Sequence, residues 1–349
     1  MIPSKGYVAD RARAPLRAFD FERRPARAFE VELEILFCGI CHSDLAMVDD
    51  DWGFGLFPMV PGHEMIGRVA ACGAQVTKFR TGDIAAVGCM SDSCRECAHC
   101  RAGLEQYCDN LSTPSFSTHE RGTANPLFGG FSTSYVVDER FALKVPRSLD
   151  AAAAAPLLCA GITTYSPLRH WRVGPGDRVA IAGLGGLGHL AVKFARAMGA
   201  DVSVITSSPG KRDDALRLGA SEVLISSDPA QMAAAAGAFS FLLDTISSNH
   251  SIEALLRLVR TDGTLCVVGV PTAPIAFSSL ALAAGRKSIS GSGMGGLPET
   301  QEMLDFCADH GISADIELLP ADAVNQAFDR LRKHDVKYRF VLDMRSLSR

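Results

Sequence analysis

The sequence has no long apolar run and no excess of basic charge. None of its hydrophobic stretches approaches the ~20 residues of a membrane-spanning helix, so we predict a protein without a membrane segment. Lys and Arg number 35 against 39 Asp and Glu, and this net charge of −4 argues against nucleic-acid binding, which normally needs a basic surface. The first residues lack an apolar segment behind a basic start, which predicts that there is no secretory signal.

The chain has 349 residues, of which 47% are hydrophobic and 21% charged, and it contains 11 cysteines. This length exceeds what one hydrophobic core usually supports, so two domains are expected. Cysteines without a secretory signal indicate a reducing compartment, where clustered thiols bind metals more often than they form disulfides. The cytoplasm is the predicted location.

The two parts of the chain differ in composition and in the spacing of their apolar residues. Residues 1–150 are rich in Gly, Pro and short β-branched runs, which predicts an irregular, mostly β domain. From Asp177 onward short apolar strands alternate with segments of helical spacing, up to about Gly295. This alternation predicts an α/β domain with a parallel sheet covered on both faces.

A glycine-rich turn follows the first of these strands. Its six residues fit the pattern G-x-G-x-x-G between a strand and a helix: Gly183, Leu184, Gly185, Gly186, Leu187 and Gly188. The first glycine permits the tight turn, the second permits a pyrophosphate to approach the backbone, and the third permits close packing of helix and strand. In this context we predict dinucleotide binding, with the phosphates at the helix N-terminus.

The end of the second strand indicates which dinucleotide. An NAD site usually has Asp or Glu here for the ribose hydroxyls. This chain has Ser207 and Ser208, followed by Lys211 and Arg212, and no carboxylate before Asp213. Small hydroxyls followed by two cations suit a 2′-phosphate, so we predict NADP(H). The alternative is that the two cations are only solvated residues at the start of the next helix.

Four cysteines lie within fifteen residues. Cys94, Cys97, Cys100 and Cys108 have a spacing that predicts a structural zinc site, because four thiolates complete a tetrahedral shell and leave no open position. Other potential ligands are scattered: Cys41 and Asp44, then His63 and Glu64, then Cys159. Taken singly, none of these is diagnostic, and a lone cysteine such as Cys159 is more often a small core residue.

Several motifs together resemble one family. They are Cys-Gly-Ile-Cys-His-Ser-Asp at 38–44, Val-Pro-Gly-His-Glu at 60–64, the four-cysteine loop, Pro-Leu-Leu-Cys-Ala-Gly-Ile-Thr-Thr-Tyr at 156–165 and the glycine turn. In this order and spacing the chain resembles a zinc-dependent medium-chain alcohol dehydrogenase. Gly-Ser-Gly-Met-Gly-Gly at 291–296, Glu-Thr-Gln-Glu-Met-Leu-Asp-Phe at 299–306 and Tyr-Arg-Phe-Val-Leu-Asp near the end narrow the resemblance to the cinnamyl-alcohol-dehydrogenase branch.

The resemblance implies a second, catalytic zinc. Cys41, His63 and Cys159 would hold it, with a fourth position left for water or substrate, and Glu64 would be a near or intermittent ligand. Asp44 would accept the second ring N–H of the histidine, as carboxylates behind metal ligands commonly do. A helix-capping role for Asp44 is also possible.

The resemblance also implies a substrate-side hydroxyl and a cofactor cleft. Ser43 would bond the substrate oxygen and start a proton relay, for which many family members have a histidine at the position of Ala46. Residues implied near the cofactor are Thr163, Val268, Val270, Ser290, Ser292 and Arg339. Residues implied in the substrate channel are Trp52 and Phe116. The other cysteines, Cys38, Cys72, Cys89, Cys266 and Cys307, are expected to be buried apolar residues.

The resemblance predicts a GroES-like mostly-β catalytic domain at 1–151 and 295–349, and a Rossmann doubly wound cofactor domain at 152–294. The active site would lie in the cleft between them, in a homodimer. The expected protein is an NADP-dependent zinc alcohol dehydrogenase with two zinc ions per chain that acts on a broad range of primary alcohols and aldehydes and favours aldehyde reduction. The alternatives are a polyol or sugar dehydrogenase of the same fold and a non-catalytic protein on this scaffold.

Overall fold

The computed structural model describes residues 1–271 and 273–348. Contacts divide the chain into two compact units, Met1–Ile162 with Gly295–Arg349, and Thr163–Met294. Among the described residues no single helix is long and apolar enough to cross a membrane. By length and composition alone, the bent pair Ala151–Leu158 and Ala160–His170 meets that test.

Strands outnumber helices in the first 158 residues. The strands are β1 (Ile2–Val8), β2 (Arg17–Arg23), β3 (Glu30–Ile40), β4 (Met65–Cys72), β5 (Ile84–Val87), β6 (Met90–Asp92), β7 (Thr113–Pro114), β8 (Thr118–His119), β9 (Pro126–Leu127), β10 (Ser134–Asp138) and β11 (Leu143–Lys144). The α-helices are α1 (His42–Asp49), α2 (Ala98–Arg101) and α3 (Ala151–Ala154).

From residue 160 to residue 291, helices alternate with strands. The elements are α4 (Ala160–His170), β12 (Arg178–Ala182), α5 (Gly188–Ala197), β13 (Asp201–Thr206), α6 (Arg212–Leu218), β14 (Glu222–Ile225), α7 (Pro229–Ala234), β15 (Phe239–Asp244), α8 (Ile252–Leu258), β16 (Val259–Val267), α9 (Ser279–Ala283) and β17 (Ser288–Gly291).

The C-terminal part returns to the first unit. It contains α10 (Leu297–His310), β18 (Ile316–Pro320), α11 (Val324–Arg332) and β19 (Arg339–Asp343). Short 3₁₀ turns lie at Glu105–Tyr107, Glu139–Phe141, Ala155–Leu158, Pro209–Lys211, Ala321–Ala323 and Met344–Ser348.

The first unit is built on one mixed sheet. Within the described residues its strand order is β11-β5-β4-β3-β19-β18, and β10 also pairs with β3. The central strand β3 is buried over most of its length, and it pairs antiparallel with β4 and with β19. The C-terminal strand β19 therefore belongs to the same sheet as β3. The chain leaves β3 at Ile40, directly before Cys41.

The second unit is a parallel sheet with the order β14-β13-β12-β15-β16-β17 in the described part. Strands β12 and β13 are apolar and buried except at their first residues, as expected for a sheet covered on both faces. The strand order reverses at β12, which is the doubly wound arrangement in which ligands bind at the carboxyl ends of the strands. The predicted fold class is confirmed for both units.

Candidate metal centre and cofactor turn

Asp44 organises the first candidate site. Cys41 is the extended N-cap residue of α1, and its backbone N–H donates to Asp44 Oδ2 at 2.8 Å. The other carboxylate oxygen accepts from the Gly62 N–H at 3.0 Å and from His63 Nδ1 at 2.9 Å. Asp44 has no exposed surface. One buried carboxylate thus joins the start of α1 to the segment before β4, and it also caps the helix.

Four side chains converge beside this carboxylate. The ligand atoms of Cys41, His63, Glu64 and Cys159 all lie within 4.8 Å of one another, and all four residues are buried or nearly so. The two sulfur atoms are 3.8 Å apart. Because Asp44 accepts from Nδ1, the other ring nitrogen, Nε2, is the one that remains for the hydrogen bond between His63 and Cys41. Two thiols, an imidazole and a carboxylate in this arrangement are a donor set that suits zinc.

The two thiols of the site differ in their pKa values. The hydrogen bond between the two thiols lowers the pKa of Cys41 well below its ordinary value and raises that of Cys159 well above it. Burial lowers the pKa of His63, but the Asp44 carboxylate outweighs this effect and leaves the pKa well above its usual range. Cys41 is thus favoured as a thiolate, which is the form in which cysteine binds a metal ion.

Glu64 is buried and is held through one of its carboxylate oxygens. The buried Arg339 guanidinium donates to Glu64 Oε1, and the other carboxylate oxygen, Oε2, is buried with no hydrogen-bond partner in the described part of the chain. Burial raises the pKa of Glu64 to about 7, and Arg339 opposes the rise. A Cβ on Gly39 would lie only 1.9 Å from Oε2. Glycine is therefore required at position 39 for this carboxylate to sit here, a role that the motif alone does not reveal.

The four-cysteine loop forms a second group. The sulfurs of Cys94, Cys97, Cys100 and Cys108 lie within 4.8 Å of one another. Each of three sulfurs accepts a backbone N–H at 3.4 Å. Backbone hydrogen bonds lower the pKa of Cys94 to about 6, whereas burial raises that of Cys100 to about 12. His99 is half exposed and bonds Asp109 at 2.8 Å.

The structure places the remaining catalytic candidates at different distances from the first group. The Ser43 hydroxyl oxygen is 3.7 Å from the sulfur of Cys41. The ring of Phe116 stacks on His63 with a centroid distance of 5.7 Å, and Phe116 is buried. Trp52 is 39% exposed, and its ring stacks on that of Phe54.

Sequence reasoning missed one thiol in this site. The Cys89 thiol hydrogen bonds to Cys159, and it also contacts the Leu158 carbonyl oxygen at 3.7 Å. Cys89 follows strand β5 after one glycine, and nothing in its local spacing points to a residue 70 positions away. Only the three-dimensional pairing of the strands brings it here.

The glycine turn has the geometry that its spacing predicts. Gly183 has a φ of +91° and leaves strand β12, and α5 begins at Gly188. A Cβ on Gly188 would lie 2.0 Å from the Gly183 carbonyl oxygen, whereas a Cβ on Gly185 would meet no atom of the described residues within 4 Å. The first and last of these glycines are therefore required by the protein's own backbone, and Gly185 leaves open space in front of the turn.

The segment after β13 faces this turn through Lys211. Its Nζ donates to the carbonyl oxygen of Leu184 at 2.9 Å, and burial lowers its pKa. Ser207 and Ser208 are exposed, and the Ser208 N–H donates to Thr206 Oγ1. Arg212 instead donates to the Val223 carbonyl oxygen. Lys211 thus lies against the turn, and the two serines follow the end of β13, the strand beside β12.

The other candidates of the second unit lie near strand ends. Val268 is buried and donates its N–H to the Asp244 carbonyl oxygen, whereas Val270 is 63% exposed. Ser290 donates to the Leu265 carbonyl oxygen at 3.4 Å, and the Ser292 N–H donates to that of Val267. Thr163 is buried in α4.

Comparison with known proteins agrees with both units. The family described as alcohol dehydrogenase GroES-like domain matches residues 27–147, and the family described as zinc-binding dehydrogenase matches residues 186–309. The NADP-dependent alcohol dehydrogenase C 1 of Mycolicibacterium smegmatis is 49% identical over 347 residues, which are 99% of each chain.

Solved structures are similar over the whole length. A cinnamyl alcohol dehydrogenase from Sorghum bicolor is 46% identical, covers 98% of each chain and has a TM-score of 0.94. CAD from Helicobacter pylori, solved in complex with NADP(H), is 36% identical, covers 99% of each chain and has a TM-score of 0.93. With such matches along nearly every residue, this chain belongs to the zinc-binding medium-chain alcohol dehydrogenases, in the cinnamyl-alcohol-dehydrogenase-like branch, and is an alcohol or aldehyde dehydrogenase.

Proposed function

We propose that this enzyme transfers hydride between NADP(H) and a primary alcohol or aldehyde, and that it favours aldehyde reduction. The observation that carries the proposal is the convergence of Cys41, His63 and Cys159, which are far apart in sequence, within 4.8 Å of one another. The relative named as an NADP-dependent alcohol dehydrogenase supports it. When bound, zinc would act as a Lewis acid on the substrate oxygen, and the nicotinamide would carry the hydride.

Each side chain of the first group has a separate task. Cys41, His63 and Cys159 would hold the metal, and two thiolates would balance its charge. Asp44 keeps Nδ1 of the histidine protonated, so that Nε2 is presented as the ligand atom. Glu64 stays close enough to act as an intermittent ligand, and its ion pair with Arg339 keeps it beside the site.

The proton would leave through Ser43. Its hydroxyl lies next to the Cys41 sulfur, where it can donate to or accept from a substrate oxygen. The family histidine that passes the proton onward is replaced by Ala46 here, so solvent would complete the relay. Phe116, stacked on His63, supplies an apolar wall for the substrate, and Trp52 would lie at the entrance.

NADP preference would come from the edge of the glycine turn. The 2′-phosphate would accept hydrogen bonds from Ser207 and Ser208 and would pair with Lys211. Lys211 is already held against the turn by its bond to Leu184. Thr163, Val268, Val270, Ser290 and Ser292 would line the remainder of the cofactor cleft.

The assignment of cofactor is tested by measuring kcat/KM for an aldehyde panel with NADPH and with NADH. We expect NADPH to be preferred at least about tenfold, because loss of the phosphate leaves a lysine without its partner. The double substitution of Ser207 and Ser208 by Ala should reduce this preference, because it should weaken the binding of NADPH and leave that of NADH unchanged. Equal values for the two cofactors, or a lead for NADH, would contradict the assignment.

Three further properties complete the proposal. The four-cysteine loop would hold a structural zinc, which gives two zinc ions per chain. All 11 cysteines are free thiols in the structure, which suits a reducing compartment such as the cytoplasm. A homodimer would cover the apolar side chains that the second unit exposes at Val270, Phe277 and Leu280.

A further inference from the structure

A buried carboxylate lies at the carboxyl end of strand β15. Asp244 is the last residue of that strand and has no exposed surface. Its Oδ1 accepts the Ile246 N–H at 3.1 Å, and its Oδ2 lies 2.8 Å from Nε2 of His250. Burial raises the pKa of Asp244, and the His250 charge opposes the rise. None of the roles assigned above uses this pair.

His250 closes the loop that Asp244 opens. Its second ring nitrogen, Nδ1, lies 2.8 Å from the Ser248 carbonyl oxygen, and its side chain is only 15% exposed. A carbonyl can only accept, so Nδ1 carries a proton, and a second proton is shared between Nε2 and the carboxylate. The imidazole therefore links the Asp244 carboxylate to the Ser248 backbone, and the shared proton neutralises the buried acid.

The same loop shapes the glycine turn. The N–H and the hydroxyl of Thr245 both donate to the Ala182 carbonyl oxygen, at 3.0 and 2.8 Å. Thr245 Oγ1 would lie 2.9 Å from a Cβ on Gly183 and 3.3 Å from one on Gly188. Thr245 thus fills the space that those two glycines leave open, and its position depends on the residue immediately before it, Asp244.

A third strand end is attached to the same residue. The N–H groups of Val268 and Gly269 both donate to the Asp244 carbonyl oxygen, at 2.9 and 3.0 Å. Asp244 therefore connects the end of β16 with the turn that follows β12. These are the strand ends at which a doubly wound sheet binds its ligand.

We propose that Asp244 and His250 are positioning residues for the dinucleotide: their ion pair fixes the loop at 244–250, which holds the glycine turn and the end of β16 in binding geometry. The imidazole also cancels a buried negative charge that would otherwise repel an anionic cofactor. The inference rests on the proposed binding of a dinucleotide at this turn, and it assigns the pair no contact with the cofactor.

The test measures the Kd of NADPH and of NADH, by fluorescence titration of the zinc-loaded enzyme, for four variants. His250→Ala should weaken binding about tenfold, because it leaves the buried carboxylate without a partner. Asp244→Asn should stay within about threefold of wild type, because the amide can still donate to Nε2. The double variant should bind better than His250→Ala alone, since it removes the unpaired charge. Arg286→Ala, which breaks an exposed ion pair with Asp262 in the same unit, is the control.

Kinetics and stability separate positioning from a structural role. We expect His250→Ala to raise the KM for the cofactor while kcat at saturation and zinc content stay near wild type. A His250→Ala enzyme with a lower melting temperature and wild-type Kd would overturn the inference, and so would additive effects of the two substitutions. A wild-type preference for NADH would overturn only the proposed cofactor choice, whereas a wild type that binds neither dinucleotide would overturn both.

Discussion

At the scale of single residues, the first metal group depends on buried acids whose partners are far away in sequence. Asp44 receives three hydrogen bonds from two chain segments, and Glu64 shares its buried position with Arg339, 275 residues later. An acid removed from water needs such partners, because an unpaired buried charge is strongly destabilising. The candidate ligands are thus positioned by residues that would not themselves need to touch a metal.

Asp44→Asn should reduce zinc affinity and kcat/KM together. The amide can still accept hydrogen bonds at Oδ1, but its NH₂ would face a donor, and the charge that fixes the His63 tautomer is lost. Residues behind metal ligands usually account for about 10- to 100-fold in affinity or activity, and we expect a loss of that size. The measurement is zinc content after dialysis against a chelator, with kcat/KM on the same samples.

Asp49→Asn is the matched control for this substitution. Asp49 lies on the same helix and pairs with Arg332 on the surface, away from the thiols. It should retain its zinc and its activity. If Asp44→Asn behaves like Asp49→Asn, the carboxylate does not orient the ligand.

Some of these residues could be predicted from the sequence and others could not. The four-cysteine loop is diagnostic by itself because its ligands are near neighbours in the chain. Cys41, His63 and Cys159 could be grouped only through the family resemblance, because no local spacing encodes a meeting of residues 118 positions apart. The positions of Cys89 and Gly39 and the partner of Arg339 were missed, because each follows from strand pairing within the sheet.

At the scale of elements, the glycine turn carries two kinds of constraint. Gly188 is required by a neighbouring carbonyl oxygen, and Gly185 by nothing in the protein itself. The strand-turn-helix pattern could be predicted because it is local, with apolar spacing on one side and glycines at fixed intervals on the other. The attachment of the loop at 244–250 to this turn could not, because it depends on which strand lies beside β12.

Gly185→Ala should separate binding from stability. Its Cβ has open space, so the free energy of unfolding should change by less than about 0.5 kcal/mol. The methyl group would occupy the space that a pyrophosphate needs, so dinucleotide affinity should fall at least about tenfold. Thermal unfolding and fluorescence titration of the same protein measure both quantities.

Gly188→Ala should show the opposite pattern. Its Cβ would lie 2.0 Å from a backbone oxygen, and relieving that contact should cost about 1–3 kcal/mol of stability. The outcome that would contradict the proposed phosphate position concerns the first variant. A Gly185→Ala protein with wild-type stability and wild-type cofactor affinity would show that the phosphates lie elsewhere.

At the scale of the whole molecule, each unit contains one part of the proposed reaction. The first unit, formed by the two ends of the chain, contains both thiol groups, and the second contains the glycine turn. The return of the C-terminal segment to the first sheet, where β19 pairs with β3, could be inferred only from the resemblance. Alternating strands and helices were sufficient for the second unit, because parallel sheets have that regular pattern.

The account rests on one proposed metal site, which Cys41, His63 and Cys159 would hold and in which a fourth position would remain for the substrate oxygen. The direct measurement is zinc per chain and turnover for the wild type, for Cys159→Ser and for Cys89→Ser, whose thiol adjoins Cys159 but lies outside the ligand group. We predict two zinc ions for the wild type and for Cys89→Ser. Cys159→Ser should keep one zinc and its NADPH binding while losing turnover by about a thousandfold or more. A Cys159→Ser protein with two zinc ions and wild-type turnover would contradict the account.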